Sequence, residues 1–233
     1  MVMDHDVLAR NLSRVREEIA QVQAREGLAG DVRIVAVTKG HPAGTARLAA
    51  EAGLGELGEN RVQEAVAKQD LLGGLSVRWH LIGHLQTNKA RFVPGRFAMV
   101  HSVDGIRVAE ALDRAVRGSA PGVRLPVLIQ VNVAREEQKS GCAPAEAPDL
   151  VGRIAALPGL APEGLMTMAP LTDDEAVQRR VFGALRRLRE EIASADTPLP
   201  QLSMGMSGDY RAAVAEGATI LRLGTVLFGD RAP

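Results

Sequence analysis

The sequence predicts an α/β fold, a single (β/α)8 TIM barrel with an extra N-terminal helix, and three observations lead there. From residue 33 onward, short apolar or β-branched runs alternate with amphipathic helical stretches. The runs number eight, the strand count of a closed parallel barrel. The length, 233 residues, suits an α/β barrel built as one unit, so residues 1–233 are expected to form a single domain. An open doubly wound sheet shares the local pattern but lacks its dinucleotide fingerprint here. Gly53, Gly55 and Gly58 of "GLGELGEN" lie before and within a strand rather than between a strand and a helix.

The elements follow in order. "MVMDHDVLARNLSRVREEIAQV" (1–22) reads as a charged amphipathic helix, not as the apolar core of a signal peptide. "RIVAVTK" (33–39) is a β-branched run of the kind buried on both faces, and it ends in a lysine. Strands are then expected at "LGELGE" (54–59), "VRWHLIG" (77–83), "AMVHSVD" (98–104), "PVLIQVNV" (126–133), "PEGLMTM" (162–168), "QLSMGMS" (201–207) and "ILRLGTVLFG" (220–229). Helical stretches separate most of them: "PAGTARLAAEAG", "RVQEAVAKQDLL", "GIRVAEALDRAV", "DLVGRIAAL", "DEAVQRRVFGALRRLREEIASA" and "DYRAAVAEG". Several end at a glycine suited to a helix C-terminus. "ADTPLPQL" (195–202) is only a connector.

Composition narrows the function. Lys plus Arg equals Asp plus Glu at 28 each, so net charge recruits neither nucleic acid nor an anionic membrane. Aromatic residues are 3% of the chain, too few for a base-stacking platform. No apolar run approaches the roughly 20 residues of a membrane span. The single Cys142 has no internal disulfide partner and reads as a small buried or loop residue. The histidines have no cysteine partner, so no metal is expected. The default location is the cytoplasm.

In a barrel of this kind the chemistry sits at the C-terminal strand ends. Those positions carry Lys39, Glu59, Asn60, His80, His84, Ser102, Asp104, Asn132, Met166, Met168, Ser203, Ser207, Arg222, Gly224 and Thr225. Ser207 in "SMGMSGDYRAAV" fits a helix N-cap, and the same hydroxyl beside a flexible Gly208 fits a phosphate site. Arg222 interrupts an apolar run, either to meet a carboxylate such as Glu59 or to meet a ligand; Gly224 and Thr225 offer backbone amides. Lys39 could snorkel to solvent or pair with Glu59. Partly desolvated at a strand end, it would instead supply the neutral amine that imine formation needs. A lysine for an imine, a phosphate cradle and a cation for a ring nitrogen are what pyridoxal 5'-phosphate requires.

"VAVTKGH", "ELGENRVQE", "WHLIGHLQTNK", "EEQKSG", "GLMTM", "LSMGMSGDY" and "RLGTVLFG", spread over nearly the whole chain, resemble the YggS/PROSC family of pyridoxal phosphate homeostasis proteins, barrels similar to that of alanine racemase. The resemblance implies a covalent aldimine between pyridoxal 5'-phosphate and Lys39, with Ser207, Gly224 and Thr225 holding the phosphate. It also implies that Arg222 faces the pyridine nitrogen and that Asn60 contacts the cofactor, although Asn60 equally suits a helix cap. The racemase-like spacing is kept, with fifteen residues from Ser207 to Arg222 and two from Arg222 to Gly224.

A non-catalytic protein that buffers or delivers the cofactor, with effects on vitamin B6 and amino-acid pools, is the expected function. The alternative is a weak amino-acid racemase using His80 or His84, which at i and i+4 of a strand would share a face. Alanine racemase takes a tyrosine base from a further domain; here the one tyrosine, Tyr210, follows the phosphate loop, where packing or a phosphate contact is expected. An arginine opposite the ring nitrogen leaves the pyridine unprotonated and weakens it as an electron sink. Lys139 of the polar loop after the fifth strand could guard the site or take the cofactor transiently. The expected partners are the cofactor and apo enzymes that depend on it, and the expected state is a monomer.

Overall fold

The structure, a computed structural model, describes residues 4–136 and 138–230, so Glu137 of "EEQKSG" and the first three residues of the N-terminal stretch lie outside it. Eight parallel strands close into a barrel in chain order: β1 (Arg33–Val37), β2 (Glu56–Glu59), β3 (Arg78–Leu81), β4 (Met99–Val103), β5 (Leu125–Gln130), β6 (Leu160–Met166), β7 (Gln201–Ser203) and β8 (Ile220–Leu223). The last closes on the first, with Val35 beside Arg222 and Ala36 beside Leu223. This is the (β/α)8 architecture expected from the alternation.

The helices are α1 (His5–Glu26), α2 (Ala43–Glu51), α3 (Val62–Leu71), α4 (Ile106–Ser119), α5 (Ala147–Ala155), α6 (Glu175–Ile192), α7 (Tyr210–Ala215) and α8 (Thr225–Phe228). A 3-10 turn, Thr87–Phe92, takes the place of a helix between β3 and β4. The main core lies between strands and helices. A separate apolar cluster of Val35, Met99, Leu128, Met166 and Ile220 fills the barrel, flanked by Ile82 and Met168.

The extra helix has a reason to be there. Leu8, Leu12, Val15, Ile19 and Val22 are buried at helical spacing and turn one face of α1 toward the barrel. Each such burial contributes about 1.5–3 kcal/mol. Asp4 caps the helix by accepting from the Val7 N–H at 2.8 Å, and Gly27 ends it at φ 65°. The buried face meets α7 and α8, Asn11 donates to the Leu227 carbonyl at 2.9 Å, and Glu18 accepts from the Tyr210 hydroxyl. Thus α1 braces the two short helices behind Ser207 and Thr225.

Most expected strands end a few residues early, the seventh and eighth by the widest margin. β7 stops at Ser203, and the run expected as strand to residue 229 stops at Leu223, turns at Gly224 and continues as α8. A short apolar run does not by itself distinguish strand from buried helix.

Candidate functional site

At the C-terminal ends of the strands opens a cavity of about 600 Å3, and it brings together all six expected cofactor residues: Lys39, Asn60, Ser207, Arg222, Gly224 and Thr225. Val37, Ile82, Met168 and Met206 supply apolar wall, and His84 and Gln130 also line it.

Lys39 stands two residues beyond the end of β1, and the turn that presents it is held from outside the barrel. Glu59, fully buried at the end of β2, accepts from Thr38 Oγ1 at 2.6 Å and from Lys68 Nζ at 2.6 Å. Lys68 also donates to the Thr38 carbonyl at 2.7 Å, and Glu64 accepts from the Gly40 N–H at 2.8 Å. Backbone and side chain on both sides of Lys39 are therefore tied to α3. Burial raises the Glu59 carboxyl above its ordinary range despite the hydrogen bonds from Lys68 and Thr38. Glu59 thus pairs with Lys68, not with Lys39 or Arg222.

Ser207 is not a helix cap. Asp209 occupies the N-cap position of α7, and Ser207 Oγ instead accepts from the backbone N–H groups of Gly224 at 3.2 Å and Val226 at 3.1 Å. Two amides thus converge on one oxygen at the cavity wall. Asn60 does not cap α3 either, since Arg61 holds that position. Its backbone lies against the turn after β3: a Cβ on Gly83 would stand 2.4 Å from the Asn60 carbonyl oxygen, so only glycine permits the approach.

Arg222 is buried, and desolvation pushes its guanidinium down to about 10, opposed by the nearby Asp209. Its Nη1 donates to Ser203 Oγ at 2.7 Å and its Nη2 to the Thr167 carbonyl at 2.9 Å. It stays a cation near neutral pH.

Most other candidates lie outside the cavity or at its rim. β3 ends at Leu81, so His80 and His84 do not share a strand face. His80 is buried and bonded to His101 and Glu56, while His84 sits half-exposed in the turn with Asp104 Oδ2 at 3.4 Å. Tyr210 faces α1 through Glu18, and burial pushes its phenol up to about 12, so its hydroxyl is committed to packing against α1. Lys139 donates to the Ala169 carbonyl at 2.8 Å and pairs with Glu136. Asn132 donates to loop carbonyls of Glu136 and Lys139. Cys142 is buried and its thiol is pushed up to about 12, an inert group. Among the described residues, no cluster could hold a metal ion and no helix is long and apolar enough to cross a membrane.

Sequence reasoning missed the clamp of Lys68 and Glu64, and it missed Gln130 and His101. Lys68 and Glu64 carry a weak signal, the i and i+4 spacing on a helix, which is usually a solvated pair.

The model of the alanine racemase N-terminal domain family matches residues 10–232. The pyridoxal phosphate homeostasis protein of Pseudomonas aeruginosa is 42% identical over 228 residues, covering 94% of this chain and 97% of its own. That of Aquifex aeolicus is 39% identical, covering 94% and 96%. This chain belongs to the pyridoxal phosphate homeostasis protein family. The family member PipY of Synechococcus elongatus, solved with PLP bound, superposes with a TM-score of 0.83 at 38% identity, covering 95% of this chain and all of that one. Alanine racemase from Corynebacterium glutamicum, at 18% identity and a TM-score of 0.73, shares the fold over 98% of this chain and 62% of its own.

Proposed function

We propose that this family member holds pyridoxal 5'-phosphate in the strand-end cavity and acts as a carrier that buffers the cofactor and releases it to apo enzymes, without turnover of its own. The observation that carries the reading is the meeting of Lys39, the Ser207–Gly224–Val226 cradle and the Arg222 guanidinium in one cavity. The donor set fits the group. Amides already aimed at one oxygen suit a phosphate oxygen, a guanidinium that only donates suits an unprotonated ring nitrogen, and a primary amine suits an aldehyde. The names of the relatives and the PLP in PipY support the same choice.

When bound, the cofactor supplies an aldehyde that captures amines and a ring that withdraws electrons. The chain's residues do the rest. Lys39 would hold the cofactor through its amine, the group suited to capture an aldehyde, and would yield it to a competing amine. Ser207, Gly224 and Thr225 would hold the phosphate, and Asn60 would stand beside the cofactor in the same cavity. Arg222, a poor proton donor, would leave the ring nitrogen unprotonated and the electron sink weak. Opposite Lys39 the cavity offers no tyrosine among the described residues, because Tyr210 is engaged with Glu18. Borohydride reduction of the loaded protein followed by peptide mapping tests the assignment. The label is expected on Lys39, and a label on another lysine would overturn it.

A further inference from the structure

Through the barrel interior runs a chain of polar side chains that cofactor binding leaves unexplained. From the cavity end, Arg222 Nη1 donates to Ser203 Oγ at 2.7 Å, Ser203 Oγ lies 2.8 Å from His101 Nδ1, and His101 Nε2 lies 2.8 Å from His80 Nδ1. His80 Nε2 then meets Glu56 Oε2. Ser203, His101 and His80 are fully buried, in a barrel otherwise filled with Val35, Met99, Leu128, Met166 and Ile220. Polar groups in such a place persist only if each is paired.

The ends fix the direction of every bond. A guanidinium can only donate and a carboxylate can only accept. Ser203 receives from Arg222, and His101 Nδ1 is the acceptor within reach of its own proton. That bond leaves the His101 proton on Nε2, which donates to His80 Nδ1, and so leaves the His80 proton on Nε2, which donates to Glu56. The reverse order would place a proton on His101 Nδ1 and leave the Ser203 hydroxyl proton unpaired in a fully buried position, which is costly. Burial also holds the His101 imidazole well below its ordinary range, hence neutral, as the one-way order requires.

Glu56 opens β2 at the other mouth of the barrel, where it lines a separate cleft with Arg16, Asp31 and Arg33. Its second oxygen accepts from Arg78 at 3.1 Å. The chain therefore links a carboxylate near solvent at one mouth to the cation in the cavity at the other.

We propose that Glu56, His80, His101 and Ser203 are positioning residues for the cofactor: their one-way hydrogen-bond chain holds Arg222 as an oriented, charged donor and couples the charge of Glu56 to the ring that Arg222 faces. The proposal rests on the cofactor reading above for what Arg222 touches; the chain itself does not. The groups facing Glu56 are His80 and Arg78 from β3 and Arg33 from β1, and those facing Arg222 are His101 from β4 and Asp209 before α7. Burial works against ionisation of Glu56, but the hydrogen bond from His80 and the charges around it outweigh burial and keep it a carboxylate at neutral pH.

Two measurements test this. In the cofactor-free protein, nitrogen-15 NMR of the imidazoles should show His80 and His101 each with a single proton, on Nε2; a proton on Nδ1 of either ring overturns the chain. In the loaded protein, Glu56→Gln removes a negative charge coupled to the ring. The pH midpoint of the bound cofactor's absorbance should fall by about one pH unit, tenfold in proton affinity. Asp31→Asn, a carboxylate at the same mouth outside the chain, should leave it in place. An unchanged midpoint in Glu56→Gln, or an equal change in Asp31→Asn, overturns the coupling. If instead borohydride labels a lysine other than Lys39 while the NMR pattern holds, the cofactor reading fails and the chain stands.

Discussion

Lys39 and Arg222 reach the same cavity from neighbouring strands, β1 and β8, yet the barrel holds them from opposite sides. Lys39 is gripped through its backbone neighbours by a cluster outside the barrel, in which Lys68, Glu59 and Glu64 fix Thr38 and Gly40. Arg222 is gripped through its side chain, two of whose nitrogens are committed to Ser203 and Thr167 inside the barrel. The difference matches the two tasks proposed for these residues. An amine that forms and breaks a bond has to turn toward its target while its anchor stays put, whereas a guanidinium that sets the state of a ring has to keep its direction.

The largest effect expected from breaking this contrast is on the outer cluster. Lys68→Ala leaves Glu59 buried without its cation, and loss of one partner of a buried pair costs about 3–5 kcal/mol. Denaturant unfolding measures it. Burial already raises the Glu59 carboxyl in the folded state, so its favourable contribution is present at low pH and lost as pH rises through the folded value. Without Lys68 only the Thr38 hydrogen bond is left to oppose burial, and the deficit of the variant should shrink as pH falls from neutral. A deficit that grows on acidification would show that Glu59 is not the group left uncompensated.

A smaller loss is expected at the cradle. Ser207→Ala removes a hydroxyl that meets two amides at the cavity wall, and cofactor affinity measured by absorbance titration should fall by about 1–3 kcal/mol, the worth of a charge-assisted hydrogen bond. Stability should change little. An affinity equal to that of the unaltered protein would move the phosphate elsewhere.

The fold was largely legible because parallel strands buried on both faces are continuous apolar runs, and eight of them in sequence leave few alternatives. That the six expected residues share one cavity was legible because strand ends are where this fold collects chemistry. What could not be read were contacts between distant segments. His101 sits in "MVHSV" like any strand residue until the barrel closes and sets it 2.8 Å from both His80 and Ser203. His80 and His84 looked like a pair on one face, and only the end of β3 at Leu81 separates them.

The inner grip can be sharpened at Arg222 itself. Arg222→Gln keeps a hydrogen-bond donor, on a shorter side chain, but removes the charge. Cofactor affinity should stay within about 1 kcal/mol, since lysine and cradle remain. The absorbance spectrum and its pH dependence should change, because the ring nitrogen no longer faces a fixed cation. If affinity collapsed and the spectrum did not change, Arg222 would be a binding group and the contrast with Lys39 would fail.

The smallest effect is expected at His84, and it decides between carrier and enzyme. This imidazole lines the cavity, but it sits in the turn after β3 with a side chain 56% exposed, and Asp104 lies 3.4 Å away. A general base has to hold the proton path in a fixed geometry, and a solvent-washed pair at the cavity rim gives no such constraint. With Arg222 weakening the electron sink, exchange of the α-proton of alanine or serine into deuterated water should be slow. His84→Asn should leave both that rate and cofactor affinity unchanged. Rapid, saturable exchange abolished by His84→Asn would make this a racemase site, with His84 opposing Lys39 as the second base. Slow exchange insensitive to the replacement would leave the cavity with one reactive amine and one fixed cation, which is enough to hold a cofactor and too little to turn over an amino acid.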